Sequence, residues 1–408
     1  MTITKNQPAP TVGAGGTAAG TRPGASRHLA LATLGFLLNF WAWALLSPLA
    51  PGIKERLGLS FAAQSLLVAV PVLVGSLGRI PVGALTDRYG ARVMFPLVTL
   101  ATIVPVLTLA FVSSYAALIV AGFFLGIGGT AFAVGVPLVS AWYPPARRGF
   151  AIGVFGIGMG GTAIANFTTV RLSDAYGPKT PFLLVAAVLA GYAVLAFLLL
   201  RDAPDRQRPA GSALARLAQV ARLGVTWQLC FLYAVGFGGF VAFSVYLPAY
   251  LRTAYGLDVG DAALRTAGFV VLAVIARPVG GWLSDRLHPV PVLVGCFAGV
   301  AAFAVVQAFQ PPLIPLGTIA FLGMAALLGA ASGGVFALVG KVAPADKVGS
   351  VTGLVGAAGG LGGFVPPLIM GWVYGVEGSY AIGLMLLSDV ALAAAVYTAI
   401  KMSGLARR

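Results

Sequence analysis

Two short segments of the chain are near-copies of each other, and each places an arginine at the end of a long apolar stretch. The segments are RIPVGALTDR, from Arg79 to Arg88, and RPVGGWLSDR, from Arg277 to Arg286. A charged side chain inside a membrane span costs free energy and marks a functional site by default. Two such arginines at matching positions of internal repeats predict one central site for an anion, shared between the repeats.

The residues that follow each arginine indicate its depth in the membrane. In the first copy, Arg79, Gly83 and Asp87 share one face of a helix, and in the second copy Gly281 and Asp285 stand at the same offsets. If each aspartate lies at the membrane edge, a rise of ~1.5 Å per residue places each arginine about 12 Å inward. That depth is near the middle of a ~30 Å hydrocarbon core. A planar, permanently charged guanidinium there suits a planar oxyanion.

The alternative role for the arginines is a structural ion pair with an acid inside the membrane. Only Asp389 lies deep within an apolar stretch, and one carboxylate cannot neutralise two arginines. Other chemistry has little support, because His28 and His288 fall outside the apolar stretches and the two cysteines have no metal-binding spacing. We therefore predict an anion site, no metal, no cofactor and no enzymatic activity.

The composition excludes an ordinary soluble protein. Hydrophobic residues make up 59% of the chain, charged residues 9%, and the mean hydropathy is +0.95. Apolar runs of about 20 residues, enough to cross a bilayer, recur along the chain. We expect an all-α membrane protein with twelve transmembrane helices in two six-helix halves, with spans near 29–49, 61–85, 93–112, 115–142, 149–171, 181–200, 226–250, 262–284, 290–309, 313–340, 348–374 and 379–400.

The domain organisation follows from these runs. We predict a disordered cytoplasmic tail (1–28), an N-terminal half (29–200), a cytoplasmic linker (201–225), a C-terminal half (226–400) and a short cytoplasmic tail (401–408). Within the linker, Arg216 and Arg222 alternate with apolar residues, which predicts a short helix on the inner membrane surface.

The net charge of +15 reflects membrane topology rather than nucleic-acid binding. Most of the Lys and Arg residues fall in the tails and loops on the side of the N-terminus, as the positive-inside rule requires of cytoplasmic segments. We therefore expect a multi-pass protein of the inner membrane, with both termini cytoplasmic and no nucleic-acid partner. The Lys and Arg residues expected on the outer side are Lys54, Arg56, Arg171, Lys179, Arg252 and Arg265.

Glycine runs in the fifth and eleventh predicted spans support the duplication. Gly156 and Gly160 in the fifth span recur at the same spacing as Gly356 and Gly360 in the eleventh. Glycines at such spacing let helix backbones approach closely. Packing alone is one interpretation. The other adds that a wall without side chains lets a small substrate touch backbone and lets these spans slide.

The Asp-Arg pairs at the ends of the two repeated segments predict a latch. Asp87-Arg88 and Asp285-Arg286 lie at the cytoplasmic ends of the second and eighth spans. An aspartate there can accept hydrogen bonds from the N-terminus of a neighbouring helix and hold the cytoplasmic side closed. The alternative is a solvated charge in a turn.

The motif Gly83-x-x-x-Asp87-Arg88-x-Gly90-x-Arg92 resembles the signature of the major facilitator superfamily. Within it, the chain resembles the nitrate/nitrite porter family. The resemblance covers nearly the whole chain from the first span onward. It is carried by GIGGTAFAVGVPLVSAWYPPARRG, GFAIGVFGIGMGGTA, LCFLYAVGFGGFVAFSVYLP and GLVGAAGGLGGFVPPLIMG. The major facilitator fold and transport by alternating access are what this resemblance implies.

The resemblance also implies roles for individual side chains. Arg79 and Arg277 match the two family arginines that hold nitrate or nitrite. Phe132 and Phe237 match aromatic walls on either side of the substrate plane, and Tyr233 matches a hydrogen-bond donor.

One position departs from the family pattern. The glycine run of the fifth span usually carries Asn, and here Met159 stands in its place. The loss of a polar contact puts strict nitrate or nitrite specificity in doubt, and Asn166, one to two turns further on, is not an obvious substitute.

We therefore expect a monomeric carrier in the lipid bilayer for a small inorganic anion. The favoured substrate is nitrate and/or nitrite, moved by exchange or by proton-coupled uptake. The alternatives are a carrier for another small anion, such as formate, oxalate or cyanate, and a non-transporting anion sensor.

Overall fold

The computed structural model describes residues 22–204, 213–344, 347–402 and 404, and these are arranged almost entirely as helices. In this part of the chain, twelve helical stretches are long and apolar enough to cross a membrane, which confirms the predicted fold class. They are numbered spans 1 to 12: Ala25–Leu57, Phe61–Tyr89, Ala91–Phe111, Tyr115–Trp142, Ala151–Tyr176, Thr180–Leu199, Gly224–Tyr255, Val259–Leu287, Pro289–Ala308, Leu313–Val342, Ser350–Glu377 and Ala381–Met402.

Several spans are built from more than one helix. Span 1 consists of Ala25–Trp43 and Leu46–Leu57, and span 2 of Phe61–Leu77 and Arg79–Tyr89. Span 11 consists of Val348–Gly362 and Val365–Glu377. Spans 10 and 12 include short π-helical segments, Leu313–Gly317 and Thr398–Met402, beside the α-helices Thr318–Val342 and Ala381–Tyr397.

Spans 4 and 5 each contain a 3₁₀ segment in the middle. Span 4 runs Tyr115–Leu125, 3₁₀ Gly126–Thr130 and Ala131–Trp142. Span 5 runs Pro145–Gly156, 3₁₀ Ile157–Gly160 and Gly161–Tyr176. Both segments are rich in glycine, which stabilises an α-helix poorly. A 3₁₀ stretch in the middle of a helix often marks a hinge.

The two halves meet mainly through three pairs of spans: span 2 packs on span 11, span 5 on span 8, and span 1 on span 7. The first two pairs are equivalent under the duplication, because spans 2 and 5 correspond to spans 8 and 11. A buried hydrogen bond ties the third pair, in which the Ser47 hydroxyl donates to the Val245 carbonyl at 2.7 Å. The interface therefore has the two-fold pattern that the sequence repeats predict.

The linker helix, Ala213–Ala221, lies at one end of the bundle, which is called the linker side; the other end is called the opposite side. Arg216 of this helix forms an ion pair with Asp87 at the end of span 2. At the first copy of the motif, Asp87 thus has an arginine side chain of the linker helix as a partner, where the prediction named the N-terminus of a neighbouring helix. The linker helix therefore ties the start of the C-terminal half to the N-terminal half.

The second copy of the motif forms no latch, so that part of the prediction is wrong. Asp285 is exposed and bonds with none of the described residues. The described part of the linker contains one helix, and Arg216 of that helix pairs with the end of span 2. Arg88 and Arg286, which follow the two aspartates, are both exposed and lie over aromatic rings of their own helices. The Cζ of Arg88 is 5.2 Å from the centre of the Tyr89 ring, and the Cζ of Arg286 is 4.4 Å from that of Trp282.

The start of span 1 also differs from the prediction. The helix begins at Ala25, so residues 25–28 belong to it rather than to the predicted tail, whose residues 1–21 lie outside the described part of the chain. His28 is buried, stacks on Trp142 at 4.2 Å, and accepts a hydrogen bond from the Arg201 amide at 3.4 Å. This histidine packs span 1 against the end of span 4.

Close approach between the halves requires a glycine at position 360. A Cβ at Gly360 would lie 2.1 Å from the Ser76 Oγ of span 2. At Gly160, by contrast, no atom of the described residues lies within 4 Å of such a Cβ. The glycines of the repeated arginine motif also have room, since the nearest atoms to a Cβ at Gly83 and Gly281 lie 3.9 Å and 4.0 Å away.

This contrast gives a stability prediction. Gly360→Ala should destabilise the packing of span 2 on span 11 by about 1–3 kcal/mol, the usual cost of overpacking. Gly160→Ala, a matched change in the equivalent glycine of span 5, should leave stability unchanged. Thermal unfolding of the two purified variants in detergent measures the difference. Equal midpoints for both variants would contradict the close packing of span 2 on span 11.

Candidate functional site

Arg79 lies at the N-terminus of the second helix of span 2 and is 7% exposed. Its Nη1 donates to the carbonyl of Gly356, in span 11 of the other half, at 2.7 Å. Its Nε donates to the carbonyl of Gly129, in the 3₁₀ segment of span 4, at 3.4 Å. The guanidinium therefore spans the interface between the halves.

Arg277 occupies the equivalent place in span 8 and is also 7% exposed. Its Nη2 donates to the hydroxyl of Tyr233 in span 7 at 2.9 Å. Its Nη1 lies 3.1 Å from the Sδ of Met159, in the 3₁₀ segment of span 5 of the other half. A Cβ at Gly156 would lie 3.8 Å from its Nε, so this glycine leaves room for the arginine.

Aromatic rings surround both guanidinium groups. Phe132 and Phe237 lie 5.1 and 5.8 Å from the Cζ of Arg79. The ring of Phe237 also lies 5.6 Å from the Cζ of Arg277, so it is shared by the two arginines. Tyr233 stacks parallel to Phe237 at 5.0 Å, one helical turn away on span 7. These distances are typical of cation–π contacts, which strengthen when the groups are removed from water.

The structure thus brings together all the side chains predicted for the substrate site. Arg79, Arg277, Phe132, Tyr233 and Phe237 are all buried, and hydrogen bonds or ring contacts connect them across the two halves. They come from spans 2, 4, 7 and 8. This group is called the central site.

The central site carries uncompensated positive charge. None of the carboxylates in the described residues forms an ion pair with either arginine. Asp389, the acid that the sequence places within a span, is exposed on the surface of span 12. Two like charges buried in a protein repel each other, and a carbonyl or a sulfur offsets this only in part. The arrangement therefore favours the binding of an anion between the arginines.

Met159 faces the central site, as its place in the glycine run suggested. It is 2% exposed, and its sulfur is in contact with the guanidinium of Arg277. Asn166 takes no part: it is fully buried, and its Nδ2 donates to the Thr162 carbonyl of its own helix at 2.8 Å. The amide that the family pattern leads one to expect is replaced here by a thioether, which is a weak acceptor.

Sequence reasoning missed Phe336 of span 10. Its ring lies 5.5 Å from the Cζ of Arg277 and 4.7 Å from the ring of Tyr233. Phe132 of span 4 stands in the same relation to Arg79, and both phenylalanines precede an alanine in matching spans. Extending the duplication to spans 4 and 10 would have identified it. The sequence gives no indication that the carbonyls of Gly129 and Gly356 bond Arg79, because the partner of a backbone carbonyl depends on where the helices lie.

Comparison with protein families matches residues 32–367 to the Major Facilitator Superfamily. Among individual relatives, the probable nitrate/nitrite transporter NarK2 of Mycobacterium tuberculosis (strain ATCC 25618 / H37Rv) is 52% identical over 381 residues, covering 92% of this chain and 96% of that protein. The nitrite extrusion protein of Bacillus subtilis (strain 168) is 39% identical over 369 residues, covering 90% and 92%.

Solved structures show the same fold at low sequence identity. The human organic anion transporter MFSD10 (TETRAN) has a TM-score of 0.75 at 16% identity, covering 92% of this chain and all of that one. A bacterial homologue of the human lysosomal transporter Spinster, in an inward-facing and occupied conformation, has a TM-score of 0.70 at 20% identity, covering 95% and 98%.

The chain therefore belongs to the major facilitator superfamily of integral membrane transporters. Within that superfamily it is a member of the nitrate/nitrite porter family, as the match to its relatives over most of the chain shows.

The contact between Met159 and Arg277 gives a second prediction. Met159→Asn should supply a strong acceptor and donor beside the guanidinium, and so raise the affinity for nitrate relative to formate. The gain should not exceed one hydrogen bond to a charged group, roughly 1.5–3 kcal/mol. Competition between the two anions for binding to the purified protein measures it. Met159→Leu is the matched control, because it removes the sulfur without adding an amide. An identical preference in the Asn and Leu variants would show that position 159 does not set specificity.

Proposed function

We propose that this protein is a secondary active transporter that carries nitrate and/or nitrite across the inner membrane by alternating access. The observation that carries the proposal is the pair of buried arginines, one from each half, that lack a carboxylate partner among the described residues. Small planar anions complement such a pair in charge and shape. The names of the relatives support the same substrate class.

Each side chain of the central site has a role in this proposal. Arg79 and Arg277 hold opposite edges of the anion, and Phe132 and Phe237 provide flat walls on either side of its plane. The Tyr233 hydroxyl accepts a hydrogen bond from Arg277 in this structure, which leaves its own proton for donation to the anion. Met159 completes the wall beside Arg277.

The contacts of the arginines suggest how binding is linked to movement. In this structure Arg79 bonds to the C-terminal half and Arg277 contacts the N-terminal half. An anion between them offers a better acceptor than a carbonyl or a thioether, because its full negative charge attracts the guanidinium more strongly than a partial charge does. Binding also removes one of the two repelling charges. The glycine-rich 3₁₀ segments of spans 4 and 5 supply two of the contacts that would change on binding, the Gly129 carbonyl beside Arg79 and the Met159 sulfur beside Arg277.

The mode of coupling follows from the charges at the site. Exchange of one monovalent anion for another is electroneutral and requires no proton. Uptake of a monovalent anion against an inside-negative potential requires at least one accompanying proton. Because the central site holds no carboxylate of the described residues, proton-coupled uptake would need a titratable group elsewhere. Exchange is therefore the simpler mode for this site.

The remaining features of the proposal concern orientation and assembly. The excess of Lys and Arg in segments on the linker side favours a cytoplasmic location for that side and for both termini. The central site is built within a single chain, so a monomer suffices for transport.

Met159 favours one alternative substrate class. A site with a thioether in place of an amide discriminates less sharply between anions that differ in hydrogen bonding. Formate, oxalate or cyanate would share the arginines and tolerate the thioether. This alternative keeps the same fold, site and mechanism, and differs only in the anion carried.

The proposal predicts the effect of changing either arginine. Arg79→Lys and Arg277→Lys should each reduce nitrate and nitrite flux by about 10- to 100-fold, the equivalent of ~1.5–3 kcal/mol for a hydrogen bond to a charged group, since lysine cannot reproduce the planar fork. Flux into proteoliposomes with nitrate, nitrite, formate and oxalate measures both the loss and the substrate. Arg171→Lys is the control, because Arg171 is an exposed arginine that bonds to the carbonyl of Phe167 in its own helix.

Three outcomes would overturn parts of the proposal. Near-normal flux in both lysine variants would exclude the central site. Flux of formate or oxalate without nitrate or nitrite would select the alternative substrates. Binding of nitrate without flux of any of these anions would indicate a sensor.

A further inference from the structure

A cavity opens between the halves on the opposite side of the bundle, away from the central site. It has a volume of about 320 Å³ and is formed by spans 1, 2 and 7 and the turn that follows span 7. This cavity is called the outer vestibule. Its polar and charged lining comes mainly from Lys54, Glu55, Gln64, Arg252 and Thr253, with Phe61 at one wall.

An ion pair between the halves crosses the outer vestibule. Arg252 of span 7 donates from both Nε, at 2.8 Å, and Nη2 to the same oxygen of Glu55 in span 1. Its Nη1 donates to the Leu257 carbonyl at 3.2 Å, which fixes the direction of the guanidinium. The Glu55 side chain is 56% exposed. Exposed ion pairs contribute little net stability, so another anion can replace this carboxylate at small cost.

Two further side chains that line the vestibule, Lys54 and Gln64, can bind an anion. The Lys54 Nζ lies 4.1 Å from the centre of the Phe61 ring and forms no ion pair with the described residues. Gln64 is 3% exposed, lines the cavity, and its side-chain amide bonds with none of the described residues. Lys54 and Arg252 against the single carboxylate of Glu55 leave the lining with one excess positive charge.

We propose that the outer vestibule is a second anion-binding site, in which a small oxyanion binds between Lys54 and Arg252 and takes the place of Glu55 on the Arg252 guanidinium. The class of ligand follows from the site: two convergent N–H groups, an ammonium and an amide suit a small, singly charged oxyanion. Its identity as nitrate or nitrite rests on the proposed function.

Occupation of this site has a consequence for the opposite side. The ion pair between Glu55 and Arg252 joins span 1 to span 7, so an anion that displaces Glu55 also breaks a contact that holds the halves together. The vestibule therefore concentrates the anion at the outer mouth and loosens that mouth when the anion arrives. Clefts of one sign of charge raise the local concentration and the association rate of an oppositely charged ligand.

Uptake kinetics from the outer side of the membrane test the proposal. With nitrite as the probe, Lys54→Gln should raise KM on the order of tenfold for uptake into right-side-out vesicles, because the attracting charge is lost. Glu55→Gln should lower the same KM, because it removes the competing carboxylate. Arg56→Gln is the matched control: it removes one positive charge from the same turn, but from an exposed residue that does not line the cavity. Opposite shifts for Lys54→Gln and Glu55→Gln, with no shift for Arg56→Gln, support the site. Equal shifts for Lys54→Gln and Arg56→Gln, or the same direction for Lys54→Gln and Glu55→Gln, would overturn it.

A binding measurement separates this site from the central one. In the double variant Arg79→Lys, Arg277→Lys, nitrate should still raise the thermal unfolding midpoint in a saturable way, since a ligand bound to the folded state stabilises it. Adding Lys54→Gln should abolish that rise. A rise in the wild-type protein that is absent from the double variant would overturn the outer site and leave the central site standing. A rise in the double variant, together with wild-type protein that carries neither nitrate nor nitrite, would refute the proposed function and retain the outer site.

Discussion

The structure depends on one constraint: two arginines are buried near each other inside a protein that offers them no carboxylate among its described residues. Each one reaches across the interface, Arg79 to the carbonyl of Gly356 and Arg277 to the sulfur of Met159. These are weak partners for a buried cation, and the mutual repulsion of the arginines remains. The glycines that let spans 5 and 11 lie so close to the arginines, and the aromatic rings around them, are the features of the fold that make this burial possible. A site of this kind gains most from a ligand of opposite charge.

The duplication explains most of the architecture, and one departure from it lies at the central site. Phe36, Phe40 and Trp43 of span 1 recur at the same spacing as Tyr233, Phe237 and Phe240 of span 7. Phe36 packs on Phe132 at 5.7 Å, as Tyr233 packs on Phe336 at 4.7 Å. The hydroxyl that distinguishes Tyr233 from its counterpart is the group that bonds Arg277. Local departures from an otherwise consistent pattern are expected where function is located.

Much of this arrangement could be predicted from the sequence, for physical reasons. The length of the apolar runs determines the number of spans, and the cost of a buried charge draws attention to Arg79 and Arg277. The resemblance of the glycine run around Met159 to the family pattern was enough to predict that Met159 lies at the site. The bonds of the arginines could not be predicted, because a backbone carbonyl such as that of Gly356 becomes a partner only when the halves are docked. For the same reason, the sequence could not show that Asp87 pairs with Arg216 of the linker helix while Asp285 stays exposed.

The central claim is that one anion binds both arginines at once and replaces their bonds to the opposite halves. A structure of the purified protein determined with nitrite tests this most directly. The account predicts density for the anion in contact with both guanidinium groups, with the bond from Arg79 to the Gly356 carbonyl and the contact of Arg277 with the Met159 sulfur both lost. Nitrite bound elsewhere, or bound to one arginine while the other keeps its present partner, would contradict it.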